Sequence, residues 1–147
     1  MLRAVSVSTA GSSKTVSEYV ELSFQDRHRR RLRMHSSAGR DFLLDFPEAI
    51  ALRDGDILTL DDDSYIRVSA LPEDVLDITA ADANALTRIA WHLGNRHLPT
   101  AISAGQLRIA YDHVIEAMIV GLGGKTARLH APFQPEAGAY DAEHHHA

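Results

Sequence analysis

What most constrains this chain is a change of hydrophobic period partway along it. Up to about residue 70, apolar residues alternate with polar ones; beyond it they recur every three to four positions between short strand-like runs. In the first part, EYVELSF (residues 18–24) alternates. RRRLRMH (29–35) sets Leu32 and Met34 on one face and Arg31, Arg33 and His35 on the other. DFLLDF (41–46) reads as a short buried strand, Asp54-Gly55 as a tight turn, and the run to Ala70 as two strands around Asp61–Asp63. These signals predict a small β domain over residues 1–70.

In the second part, VLDIT (75–79) reads as a strand. AADANALTRIAWHLG carries Ala85, Leu86, Ile89, Ala90 and Leu93 at helical spacing, with a stop expected at Gly94. LPTAIS and QLRIAY form a hairpin over Ala104-Gly105. Asp112 caps a second helix with Val114, Ile115, Met118, Ile119 and Leu122 on its apolar side; Gly123-Gly124 end it, and TARLHA is a last strand. The order β-α-β-β-α-β predicts a ferredoxin-like domain over residues 71–131. From residue 132 the composition turns to Pro, Gly, Ala and acid, which predicts a flexible tail, 132–147, bearing His144, His145 and His146. The class is therefore α+β.

Composition narrows the chemistry. An apolar fraction of 45% is enough for folded cores. The formal charge is −5, and it is uneven: residues 1–70 hold 10 Lys/Arg against 11 Asp/Glu, residues 71–147 hold 5 against 9. A net acidic chain argues against a nucleic-acid partner. The longest apolar-rich run, VIEAMIVGLGG, contains Glu116 and is too short to span a bilayer, so no membrane partner is expected. The N-terminus lacks a secretory core, and the expectation is a soluble cytoplasmic protein. There is no cysteine, so a metal must be held by imidazole nitrogen or by oxygen.

GLGGKT (121–126) superficially matches the end of a phosphate-binding loop. The motif requires glycine where Ile119 stands, and this segment closes a helix instead of opening one. Asp61–Asp63 lacks the spaced ligands of a calcium loop and reads as a turn. Arg27, Arg29, Arg30, Arg31 and Arg33 concentrate positive charge, which fits either a solvated strand face or a surface for an acidic protein partner. His92 and His97 are five apart, about 140° on a continuous helix, so they cannot chelate one ion as an i, i+4 pair does. His113 opens the second helix and reads as a surface histidine or a ligand. The tail triplet serves no packing purpose but suits Ni, Zn or Cu, unless it is the remnant of a purification tag.

WHLGNRHLP, GQLRIAYDHVIEAM and PFQPEAGAY followed by histidines resemble the urease accessory protein E family, the nickel metallochaperones of urease maturation. The similarity spans residues 71–147 at matching spacing. It implies an N-terminal domain resembling a peptide-binding module and a C-terminal domain that binds metal and dimerises, with no catalytic residue. It also implies that His97 sits on a two-fold axis, each chain of a homodimer giving one imidazole to a shared Ni²⁺, with Zn²⁺ or Cu²⁺ as substitutes and a metal-linked tetramer as a further assembly. His144, His145 and His146 are implied as mobile ligands and His113 as a peripheral one. Some relatives carry histidine where Tyr111 stands. The implied partners are the urease apoprotein and its accessory GTPase complex, with the arginines of 27–33 facing them. Two rival readings remain: a metal-dependent hydrolase using His92, His97 and His113, and a metal-free adaptor that binds protein through the β domain.

Overall fold

A strand that the alternation did not disclose opens the fold: β1, Leu2–Ser8. Val5 to Ser8 alternate over only four residues, Val5 is exposed, only Ala4 is buried, and the ladder shifts register between Ala4 and Ser6, so the alternation marks no continuous buried face. The computed structural model describes residues 1–9 and 15–137, and the chain divides into two units between Leu71 and Pro72.

In the first unit β1 is followed by β2 (Tyr19–Leu22), β3 (His28–His35), β4 (Asp41–Ala51), β5 (Ile57–Leu60) and β6 (Tyr65–Ala70). They form one sheet in the order β2-β6-β5-β1-β4-β3, with β1·β4 and β2·β6 parallel and the other pairs antiparallel. The sheet curls until its edges approach: the Ser37 N–H donates to the Tyr19 carbonyl at 2.8 Å. Phe42, Leu44, Leu58, Leu60, Ile66 and Val68 fill the interior. Strand β4 is longer than the expected 41–46. Arg29 pairs with Ile50 and Arg31 with Asp45, so residues 46–49 bulge opposite Arg30 alone. Pro47, which cannot donate a ladder bond, sits in that bulge.

The second unit contains β7 (Pro72–Thr79), α1 (Ala83–Asn95), β8 (Ala101–Ser103), β9 (Gln106–Ala110), α2 (His113–Gly121) and β10 (Lys125–Pro132). The sheet order β10-β7-β9-β8, antiparallel throughout, is the ferredoxin-like arrangement. Leu76, Ile78, Leu107 and Ile109 from the sheet meet Ile89 and Leu93 of α1 and Ile115 and Ile119 of α2.

Several expectations need correction. Helix α1 does not stop at Gly94 but continues through Asn95. On α2 the buried pair is Ile115 and Ile119; Val114 and Leu122, expected on the apolar side, are exposed. A nine-residue helix lying on a sheet seats only the i, i+4 pair facing it, and the flanking residues fall outside that contact. The tail does not begin at 132 either. Pro132 pairs with Pro72 in β10, Phe133 is only 2% exposed, and the Glu136 N–H donates to the Thr100 carbonyl at 2.9 Å. His144, His145 and His146 lie outside the described residues. No helix among the described residues is long and apolar enough to cross a membrane.

Candidate metal-binding site

Helix α1 begins at Asp82, whose carboxylate accepts from the Ala85 N–H at 2.8 Å. Ile89 and Leu93 anchor it to the sheet, and Trp91 projects outward at 65% exposure. Its far end closes in a Schellman turn: the His97 N–H donates to the Gly94 carbonyl at 3.0 Å and the Leu98 N–H to the Leu93 carbonyl at 3.1 Å. That pattern makes Arg96 the C-cap and His97 the following residue, with a left-handed φ of 57°. Glycine is the usual occupant of such a position. Here histidine takes it, at a cost of about 1 kcal/mol.

The His97 ring is exposed and without a partner among the described residues. His92 is half-buried, its ring edge-on to Trp91 at 5.1 Å between centroids. The turn therefore separates the two histidines of WHLGNRH: one packs, the other is offered to solvent.

His113 is the first residue of α2, after Asp112, whose carboxylate accepts from the Val114 and Ile115 N–H groups at 2.9 and 3.1 Å. It lines a recess of about 460 Å³ with Asp74, Tyr111, Asp112, Val114 and Arg128. A fixed cation already occupies that recess. Arg128 donates from Nε and Nη2 to the two Asp74 oxygens at 3.0 and 2.8 Å, and its guanidinium lies 3.6 Å from the Tyr111 ring centre. Those bonds hold the Asp74 carboxyl below the usual carboxylate range. The Tyr111 hydroxyl donates to Glu116 at 3.3 Å, as does that of Thr126. His130, which sequence reasoning passed over, pairs in register with Asp74. The alternation of Thr126, Arg128 and His130 in TARLHA carries the signal for that shared face.

Among the described residues no three His, Asp or Glu side chains are grouped to hold a metal. His92, His97 and His113, which the hydrolase reading requires in one place, are not brought together as such a group. The described part of one chain offers a free imidazole at His97 and a second, beside a bound arginine, at His113.

The arginine cluster also divides. Arg27 is 2% exposed and donates from Nη1 to the Leu22 carbonyl at 2.7 Å, so it is a structural residue and not part of a partner surface. The arginines of β3 are exposed. Arg29 pairs with Asp26 and Arg33 with Asp41, each at 3.2 Å, and Arg30 donates weakly to the Phe46 carbonyl at 3.4 Å. The Arg31 side chain has no partner among the described residues. Local pairing thus neutralises much of the charge that the sequence concentrates there.

Comparison with known sequences completes the description. Residues 73–147 match the family model described as the UreE urease accessory protein, C-terminal domain, and residues 3–71 match its N-terminal domain counterpart. Similar proteins carry the name urease accessory protein UreE. The one from Rhodopseudomonas palustris (strain BisB18) is 50% identical over all of this chain and 72% of its own length. The one from Bradyrhizobium sp. (strain ORS 278) is 54% identical over 91% of this chain and 63% of its own length. The one from Chelativorans sp. (strain BNC1) is 45% identical over 99% of this chain and 90% of its own length.

Proposed function

Because the chain belongs to the UreE urease accessory protein family, we propose that it serves urease maturation in the cytoplasm as a nickel-binding metallochaperone. The observation that carries this reading is His97: an imidazole exposed at a helix end, held by a costly turn and bonded to nothing among the described residues. One imidazole binds Ni²⁺ too weakly to carry it. Two chains related by a two-fold axis through that turn supply a pair. A two-imidazole site leaves coordination positions open, through which an acceptor can attack and remove the ion. His144, His145 and His146 add mobile ligands that hold cargo loosely, and Zn²⁺ and Cu²⁺ suit the same donors. His113 is a weaker outlying ligand, since the Arg128 charge beside it opposes a second cation. In this reading the protein binds and releases metal without a catalytic step.

The clients are the urease apoprotein and the accessory GTPase complex. Arg30 and Arg31, with Arg29 and Arg33 beside them, form the face offered to an acidic surface of that assembly. The hydrolase alternative lacks the gathered ligands it needs among the described residues.

Equilibrium dialysis against Ni²⁺ tests the proposal. About one tight ion should bind per two chains, and His97→Ala should remove it while the dimer mass is kept. Tight binding of one ion per chain, or full affinity in His97→Ala with the three tail histidines also replaced, would refute it.

A further inference from the structure

The turn at the end of α1 carries a strain that folding alone gives no reason to keep. A Schellman turn asks its left-handed residue to be glycine. Gly94 lies three residues too early, inside the helix, without a positive φ. Histidine stands in the left-handed position, and no ring contact within the described residues offsets the cost. What holds the turn is its neighbour. The Leu98 N–H closes the outer bond of the motif onto the Leu93 carbonyl at 3.1 Å. The Leu98 side chain packs against the core cluster that contains Leu93, itself fully buried. Pro99 follows and restricts Leu98 to extended backbone.

We propose that Leu98 is a positioning residue for the metal ligand: seated on the Leu93 cluster, it holds His97 left-handed and aims the imidazole away from α1. This rests on the reading of His97 as a nickel ligand. A shared ion needs both imidazoles in place at once. A ring on a loose loop would lose more conformational freedom on binding than one already fixed by its backbone. Leu98 does not touch the ion; it acts through the φ of the residue before it.

The test uses the full chain with His144, His145 and His146 each replaced by serine, so that tail ligands do not mask the result. Leu98→Ala should weaken Ni²⁺ binding about tenfold or more and shift the nickel absorption bands, with far-UV circular dichroism and dimer mass unchanged. Leu98→Met, which refills the volume, should restore affinity and spectrum. If Leu98→Ala does not fold, Leu98→Val makes the same comparison with a smaller cavity. A metal-free arm checks the backbone: His97→Gly should melt about 4 °C or more above His97→Ala.

Nickel affinity and spectrum unchanged in Leu98→Ala, where His97→Ala loses the ion, would overturn the positioning role alone. His97→Gly melting below His97→Ala would overturn the left-handed turn on which that role depends. His97→Ala retaining the ion would overturn the ligand reading beneath it.

Discussion

The first unit holds together at one corner by charge, and the size of that contribution can be worked from its geometry. Arg40, in the β3–β4 turn, donates from Nε and Nη2 to the two oxygens of Glu18 at 3.0 and 2.8 Å. Its Nη1 reaches Asp62 of the β5–β6 turn at 3.3 Å, and the Ser36 hydroxyl also donates to Glu18. Three chain segments far apart in sequence therefore meet on one guanidinium. The side chains of Arg40 and Glu18 are 29% and 19% exposed, between a surface pair and a buried one. Exposed pairs contribute about 0.2–1 kcal/mol, and breaking a buried one costs about 3–5 kcal/mol. Glu18→Gln should therefore cost about 1.5 kcal/mol, or about 8 °C in the melting of a unit this size.

The pH dependence follows from the same contacts. The Arg40 hydrogen bonds hold the Glu18 carboxyl below its ordinary range, against a smaller opposing effect of burial. A carboxyl with a depressed folded pKa stabilises the protein above its unfolded pKa and loses that contribution as pH falls through the folded value. The gap between the unsubstituted chain and Glu18→Gln should be full at pH 7 and close below about pH 4. Urea denaturation followed by circular dichroism measures it. Trp91 is the only tryptophan and lies in the second unit, so its fluorescence reports on the other half of the chain. A melting shift under about 2 °C, or an equal gap at pH 3 and pH 7, would refute the reasoning.

Three further substitutions test the packing of the two units. Arg27→Met should destabilise the first unit by about 1–2 kcal/mol, because it removes a buried charged donor from the Leu22 carbonyl, which keeps the Leu71 N–H at 2.9 Å, whereas Arg31→Ser should stay within about 0.5 kcal/mol; equal melting temperatures would show that the Arg27 bond contributes no stability. Gly124→Ala would place a methyl 2.6 Å from Ile119 Cγ2 and 2.9 Å from Ile89 Cδ1, so the second unit should lose about 1–3 kcal/mol, read from the Trp91 unfolding transition; an unchanged transition would mean the α1–α2 packing yields easily.

The two-part organisation was legible because it rests on period. Strands β3, β5, β6, β7 and β9 announce themselves through alternation and turn glycines, and the ferredoxin-like order follows once both helices are recognised. Other features depend on contacts that one sequence does not display. Strand β1 is defined by the two strands that flank it, β4 and β5, and its register shifts between Ala4 and Ser6. Arg27 reads as one more cation in RHRRRLR; only the fold shows it turned inward to a carbonyl. Phe133 and Pro135 look like the start of a Pro-rich tail, but both are buried.

The turn at the end of α1 was legible in part. Gly94 draws attention as a helix stop, because glycine so often supplies the left-handed residue there. The hydrophobic pattern around it says otherwise. A Schellman turn brings the residue two positions beyond the C-cap onto the residue three before it, five apart in sequence. Leu93 and Leu98 are the apolar pair at that spacing, with Pro99 placed to prevent further helix. Taking that pair as the closing contact puts the left-handed residue at position 97, not 94. His97 then emerges as a histidine where glycine would be more stable. The chain gives up that stability at an imidazole left exposed and unbonded among the described residues, while the neighbouring His92 is packed against Trp91. A strained position favours a residue chosen for its side chain, and a free imidazole on a rigid turn is suited to binding an ion that must later be released.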